Sequence, residues 1–215
     1  MEAGIKWFAV ASISEARKVR AQSDELRVLL LTEPSLDELD NIERHNIDLT
    51  VYNDFFIDGL EESGKEFSTH IKIDTGMHRV GCEPEDFKNL YNKIKKSKSI
   101  NLSGICTHFP LADEKIEPTQ ESIELFKETI KDIDLDDLLI HADNSGSSFY
   151  NFDPTFNLSR VGLTVYGCNI TPAEVNQDFK PTMAIKTRIS NINFRKKGEA
   201  VSYGKALTLE RDTTV

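Results

Sequence analysis

The residues best suited to chemistry lie in the segment 72–81, KIDTGMHRVG. Its alternating isoleucines predict a strand with Lys72 and Asp74 on one side, and the glycines predict a turn that presents Arg79. Strand ends followed by glycine are where α/β barrels place ligand-binding groups, because the strand fixes position and the loop gives access. An ordinary barrel strand with a solvated charge at its mouth explains the same residues equally well.

Two histidines and an arginine mark the ends of later predicted strands. His108 and His141 each close a strand, and Arg160 precedes the next one. The two histidines do not have metal-ligand spacing, so a structural hydrogen-bonding role is the simpler interpretation of each. Arginine at a barrel mouth needs an acceptor because it keeps its charge. An unprotonated ring nitrogen of an aromatic cofactor or a carboxylate would serve.

A small polar turn follows the sixth predicted strand. Ser145 beside Gly146 fits a phosphate-binding turn, through the hydroxyl and exposed backbone amides, and Gly162 would let the backbone approach the same ligand. The sequence Asn144-Ser-Gly is also typical of a plain turn, for conformational reasons alone. The phosphate interpretation is favoured only when the whole set is taken in order along a barrel.

The elements that must position these residues alternate between strands and helices up to about Gly167. Strands are predicted at 8–13, 27–32, 49–52, 70–74, 104–108, 138–141 and 163–166. Three helices with an apolar face are predicted. The first follows Ser35, with Leu36, Leu39 and Ile42 on one face; the second follows Pro84, with Phe87, Leu90 and Ile94; the third follows Pro118, with Ile123, Phe126 and Ile130. Alternation of this kind predicts an α/β fold with a parallel sheet and seven of the eight strands of a (β/α)8 barrel.

The pattern changes after Gly167. Pro172 and Pro181 bracket a polar linker, residues 183–194 alternate as a strand, and residues 201–203 predict another after a turn at 197–199. We therefore expect two domains, a partial barrel over 1–178 and the start of an all-β domain over 179–215.

Composition narrows the class of protein. The net charge of −10 argues against nucleic acid or an anionic membrane as the main partner, but it is compatible with a small anionic ligand. No apolar run approaches a bilayer span, and the N-terminus lacks the features of a signal peptide. The three widely spaced cysteines indicate neither a zinc site nor a disulfide framework. A cytoplasmic protein with reduced thiols is expected.

Together the motifs resemble those of alanine racemase, a pyridoxal-phosphate enzyme built from a barrel and a β domain. The matching segments are HIKIDTGMHR at 70–79, THF at 107–109 with ADE at 112–114, HADNS at 141–145, RVG at 160–162 with YG at 166–167, and VSYG at 201–204. The resemblance implies interconversion of L- and D-alanine, a bacterial source and a role in supplying D-alanine for peptidoglycan.

The resemblance also implies roles for the cofactor-binding residues. Arg160 would face the pyridine nitrogen of pyridoxal 5′-phosphate, supported by a hydrogen bond from His141. A protonated arginine cannot give the ring a proton, which makes the cofactor a weaker electron sink and disfavours transamination. His108 would pack beside the ring. The phosphate would be held by Ser145 and the backbone of Gly162 and Leu163.

Three further roles follow from the same resemblance. Arg79 would bind near the phenolic oxygen of the cofactor and the substrate carboxylate. Lys72 corresponds to a lysine that is carbamylated in some members. Tyr203 would be the second catalytic base, reaching the active site of the other subunit of a homodimer. Considered alone, Tyr203 predicts only a strand tyrosine packed at a domain edge.

The chain departs from the family at one catalytic position. No segment matches the one that carries the Schiff-base lysine; Lys6 precedes the first predicted strand and lacks that motif. The chain is expected to start after the first barrel strand, to stop early in the β domain and to be inactive alone. The alternatives are a serine or broad-specificity racemase, a decarboxylase of similar fold, a non-catalytic barrel that binds pyridoxal phosphate, and a truncated inactive frame.

Overall fold

The computed structural model describes residues 4–113, 116–150, 152–170 and 179–215. The chain divides into two compact units, Met1–Lys180 and Pro181–Val215. Most of the linker predicted from Pro172, and Glu114 of the quoted motif, lie outside the described residues. No described helix is long and apolar enough to cross a membrane.

The first unit is built on a parallel six-stranded sheet whose strands follow chain order. The strands are β1 (Trp7–Val10), β2 (Arg27–Leu30), β3 (Asp48–Val51), β4 (Phe67–Lys72), β5 (Ile100–Cys106) and β6 (Leu139–His141). A sheet wound in one direction is the wall of a (β/α)8 barrel, whereas doubly wound sheets reverse their strand order. The predicted α/β barrel class is therefore confirmed.

Among the described residues, five α-helices connect the strands. They are α1 (Ile13–Arg20), α2 (Leu39–Arg44), α3 (Asp54–Glu62), α4 (Phe87–Lys96) and α5 (Ile116–Ile130). The predicted apolar faces of α4 and α5 are buried, because side chains three and four residues apart meet the sheet on one side of a helix. The predicted cap Ser35 precedes a short 3₁₀ helix (Leu36–Glu38) and makes no side-chain cap bond.

The core of the first unit lies between the sheet and these helices. Ile71, Ile73 and Ile105 are fully buried, as expected for strands covered on both faces. The strand β4 thus ends in a rigid apolar environment with Lys72 as its last residue. This environment fixes where the polar residues that follow β4 can lie.

The seventh predicted strand is wrong. Residues Leu163–Tyr166 form a 3₁₀ helix that ends at Gly167, whose φ of 80° is left-handed. The segment is anchored at its start, where the amide of Gly162 donates to the Ser145 hydroxyl over 2.9 Å. A β-branched sequence becomes a strand only where a neighbouring strand supplies hydrogen bonds, and this anchoring leads the segment into a helical turn.

The second unit contains two antiparallel pairs. Strand β7 (Phe194–Arg195) pairs with β10 (Thr213–Thr214), and β8 (Ala200–Val201) pairs with β9 (Leu207–Thr208). The strand predicted over 183–194 is wrong except at its C-terminal end, where Phe194 is in β7 and Asn193 exchanges two backbone hydrogen bonds with Val215. Residues 183–192 are in no strand. The strand predicted over 201–203 ends at Val201, and Tyr203 begins a 3₁₀ turn.

Candidate active site

Arg160 lies across the carboxyl ends of β5 and β6. Its Nη1 donates to the carbonyl of His141 over 2.7 Å, and its Nη2 donates to the carbonyls of Thr107 over 2.6 Å and Ala142 over 3.3 Å. Its own amide donates to the carbonyl of Asp143 over 2.8 Å. The last carbonyls of parallel strands have no partner within their own strands, so one guanidinium satisfies several of them at once.

The same guanidinium bonds to two imidazole rings. Nη1 lies 2.7 Å from His141 Nδ1, and Nη2 lies 3.2 Å from His108 Nδ1. Arginine has only donors, so both ring nitrogens must accept and both imidazoles must be neutral. Among the described residues, the Nε–H of Arg160 is the donor left for an outside acceptor.

The electrostatics of the site keep these histidines neutral. Burial, with the nearby charges of Arg160 and Lys72 acting in the same direction, lowers the pKa of His108 to about 4. Burial, Arg160 and His70 hold the pKa of His141 well below its usual value. At neutral pH the site therefore contains bare ring nitrogens beside a permanent cation.

Lys72 and Arg79 add positive charge to this mouth. The side chain of Lys72 is buried, and burial, together with the charges of Arg160 and Arg79, lowers its pKa. The Asp74 carboxylate, whose charge acts on Lys72, is already engaged by the amides of Gly76 over 3.0 Å and Arg79 over 3.1 Å. The described site has an excess of cations, which favours an anionic ligand.

The loop that carries Arg79 is fixed by backbone geometry. Burial alone would raise the pKa of Asp74, and the bonds from the amides of His78, Gly76 and Arg79 outweigh this and lower it. Gly81 has a φ of +141°, and a Cβ there would lie 2.6 Å from the amide nitrogen of Asp74. A side chain at position 81 would therefore displace the loop.

The turn predicted to bind phosphate is partly occupied by its own bonds. The amide of Gly146 donates to the side-chain oxygen of Asn144 over 3.0 Å, so that amide is not free as the sequence interpretation expected. A Cβ at Gly146 would lie 2.9 Å from the amide nitrogen of Asp113, which explains the glycine by packing. This part of the segment is an Asx turn.

The remaining phosphate candidates do meet. Ser145 is buried, and its hydroxyl accepts from the amide of Gly162 over 2.9 Å, which leaves the hydroxyl proton available as a donor. A Cβ built at Gly162 meets nothing within 4 Å, so its backbone borders open space. The amide of Leu163 follows directly at the start of the 3₁₀ helix, where amides lack helical partners.

Tyr203 lies in the second unit. Its side chain is 98% exposed, so the expectation of a strand tyrosine packed at a domain edge is wrong. Ser202 and Lys205 beside it have left-handed φ values of 70° and 51°, and Gly204 has one of 65°. The tight turn presents the phenol outward.

Two residues of this site were missed by the sequence interpretation. His70 opens the first motif, and its Nδ1 lies 2.8 Å from His141 Nε2. Gly104 lies in the interior of β5, where glycine weakens a strand unless another group approaches closely. A glycine inside a predicted strand was therefore the sequence signal that could have indicated a close approach. In the structure, a Cβ at Gly104 would lie 2.3 Å from His70 Nδ1.

The histidines make stability depend on pH in a defined direction. Burial lowers the pKa of His70 from 6.5 to about 4, so between these values the unfolded chain binds more protons than the folded one. The free energy of unfolding is therefore expected to fall by about 2 kcal/mol from His70 alone between pH 7 and pH 4.5. Urea denaturation at both pH values measures it. His70→Asn should flatten the slope and His45→Gln should not; a His70→Asn slope equal to the wild type would contradict the assignment.

Comparison with known proteins gives a consistent result. Residues 1–170 match the family described as alanine racemase, N-terminal domain. An alanine racemase from Treponema denticola is 34% identical over 100% of this chain and 60% of its own length. The chain thus spans about 60% of the curated relative it matches.

Solved structures share the fold. Alanine racemase from E. faecalis has a TM-score of 0.87 at 23% identity, over 99% of this chain and 60% of that one, and this likeness concerns the fold alone. Alanine racemase from Bacillus anthracis with bound L-Ala-P has a TM-score of 0.83 at 25% identity, over 99% and 58%. Because the family model matches residues 1–170, the chain belongs to the alanine racemase family.

Proposed function

We propose that the protein interconverts L- and D-alanine with pyridoxal 5′-phosphate and that this chain supplies the cofactor-binding mouth of the barrel. The observation that carries the proposal is Arg160, a cation held between two neutral imidazoles with its Nε–H left for an acceptor. The Bacillus anthracis relative was solved with bound L-Ala-P, which supports alanine as the substrate. A serine or broad-specificity racemase remains an outcome of the test.

The residues present fit the cofactor at both of its ends. The excess of cations and the open space at Gly162 suit a phosphate, which Ser145 and the amides near Leu163 would hold. At the other end Arg160 would donate to the pyridine nitrogen and keep it unprotonated, with His108 beside the ring. When bound, the cofactor supplies the electron sink that makes the α-proton of the amino acid removable.

The other proposed roles concern charge and proton transfer. Arg79 would bind the substrate carboxylate, because its side chain has no hydrogen bond to a described residue and lies on the loop after β4. Lys72 would carry a carbamate, since burial lowers its pKa and favours the neutral amine that reacts with carbon dioxide. The carbamate would give the cations of the mouth an anionic partner.

Tyr203 is proposed as one of two bases. Racemisation needs a proton removed from one face of the α-carbon and one delivered to the other, so two groups on opposite sides suffice without turning the substrate over. The exposed phenol of Tyr203 suits a role across the interface of a homodimer. No segment of the 215 residues matches the one that carries the Schiff-base lysine, so these residues alone are proposed not to racemise alanine.

The limits of the two domains and the cellular location are also proposed. We place the barrel piece in 1–178 and the β domain in 179–215, supported by parallel pairing in the first part and antiparallel pairing in the second. Free thiols at Cys82, Cys106 and Cys168 support a reducing, cytoplasmic location.

The function is tested by chiral chromatography of alanine incubated with the protein purified from expression of its native gene. We expect conversion in both directions, and Tyr203→Phe should lower kcat by about 100-fold or more while cofactor content is unchanged. Tyr91→Phe, a half-buried helix tyrosine, is the matched control. Preference for serine would correct the substrate, and cofactor binding without turnover of any amino acid would favour a non-catalytic barrel.

A further inference from the structure

A second contact links the site to the interior of the sheet. His70 is on β4 and His141 is on β6, with β5 between them, yet His70 Nδ1 and His141 Nε2 are 2.8 Å apart. Gly104 on β5 is opposite His70 on one side and Leu139 on the other. A Cβ at Gly104 would lie 2.3 Å from His70 Nδ1, so the His70 ring reaches its partner across a gap that only glycine leaves.

The backbone is adjusted to the same contact. The pairing of β4 with β5 shifts register between Thr69 and His70, directly before the histidine. Irregularities of this kind redirect a side chain and are over-represented beside active sites. Two independent features, a register shift and a strand glycine, therefore place one imidazole against another.

In the hydrogen-bonded series Arg160–His141–His70, the chemistry of Arg160 determines which atom donates in each bond. Arg160 can only donate, so His141 Nδ1 accepts. A neutral imidazole has one N–H, which His141 must then carry on Nε2 and donate to His70 Nδ1. His70 consequently carries its own proton on Nε2, which is buried without a hydrogen-bond partner among the described residues and belongs to a ring in edge contact with Trp7.

The other protonation patterns are disfavoured. A proton on His141 Nδ1 would face the donors of Arg160 over 2.7 Å. A doubly protonated His141 would add a charge to a site that already holds Arg160 and Lys72. Without His70, the Nε2–H of His141 would have no acceptor, and the His141 ring would lose one of the two ring-nitrogen hydrogen bonds that fix its orientation.

We propose that His70 is a positioning residue for the reaction: it accepts the Nε2–H of His141, fixes the orientation of that ring and thereby orients the guanidinium of Arg160. With both Nη groups bound to the protein, the Nε–H is directed at the ligand acceptor. The proposal relies on the proposed function only for the identity of that acceptor. The arrangement within the chain is independent of it.

Nitrogen-15 NMR of the chain with labelled histidine tests the proposal without cofactor. In the wild type at pH 7, we expect His141 to show a protonated Nε2 and a bare Nδ1, with slow exchange of the Arg160 Nη protons. A protonated Nδ1 on His141 would overturn the proposal. Failure to bind pyridoxal phosphate would instead count against the proposed function and leave these signals unaffected.

Variants separate positioning from folding. His70→Leu removes the acceptor, so it should shift the signal of His141 Nε2 and speed exchange of the Arg160 protons at least 10-fold. His70→Asn keeps an acceptor close to the Nδ1 position and should restore the wild-type pattern. His45→Gln, at the C-terminal end of α2, is the control. If His70→Leu does not fold, the wild-type and His70→Asn spectra still decide, because a protonated Nδ1 on His141 in either would overturn the proposal. A folded His70→Leu with unchanged His141 nitrogen signals and unchanged exchange of the Arg160 protons would also overturn it.

Discussion

Arg160→Met is expected to lower the free energy of unfolding by about 3 kcal/mol, because it removes the side-chain donor from the carbonyls of Thr107 and Ala142 and from the ring nitrogens of His108 and His141. The methionine fills a similar volume, so the loss reflects the bonds and not a cavity. Arg160→Lys should recover part of the loss, since one ammonium has three donors but cannot span the same acceptors. Urea denaturation at pH 7 measures both variants.

Arg17→Met is the matched control for this comparison. Arg17 is exposed on α1 and its side chain makes no hydrogen bond to a described residue, so its variant should stay within about 0.5 kcal/mol of the wild type. Equal midpoints for Arg160→Met and Arg17→Met would show that the guanidinium network does not hold the strand ends together.

Gly104→Ala is expected to cost about 3 kcal/mol although it adds a single methyl group. The new Cβ would lie 2.3 Å from His70 Nδ1 and 2.6 Å from the carbonyl oxygen of Leu139. The ring, the strand or both must move, and overpacking of a rigid sheet adds to the loss of a buried hydrogen bond. The urea midpoint and the His141 nitrogen signals should therefore change together.

Gly162→Ala provides the contrast for stability. Its φ of −125° is not left-handed, and its Cβ would meet nothing within 4 Å. The substitution should leave the free energy of unfolding within about 0.5 kcal/mol of the wild type. Similar losses in the two alanine variants would mean that glycine in strands, and not the His70 contact, sets the cost.

The periodic elements were the predictable part of the fold. Helices α4 and α5 followed from apolar residues three and four apart, and their buried faces are the predicted ones. Alternation failed at 163–166, which forms a 3₁₀ helix, and at 183–192, which is in no strand. A strand requires a partner as well as a pattern, and only the tertiary structure provides the partner.

The site was predictable in its residue types but not in its connections. Arg160, His141 and His108 stood out because each is polar at a strand end, and the structure brings all three into hydrogen-bonding distance. The link from His141 to His70 depends on strand register and on the space above Gly104, neither of which a single sequence specifies. The free amide expected at Gly146 was wrong, because Asn144 already accepts from it.

The most direct test of the account is calorimetric titration of this 215-residue chain with pyridoxal 5′-phosphate. We expect saturable binding at one site per chain, weakened at least 10-fold by Ser145→Val and by Arg160→Lys and unchanged by Arg17→Met. Borohydride reduction followed by mass spectrometry should then find no stoichiometric pyridoxyl-lysine. The cofactor site proposed for this mouth would be contradicted if the folded wild-type chain showed no saturable binding. It would also be contradicted if Ser145→Val and Arg160→Lys both bound the cofactor as tightly as the wild type.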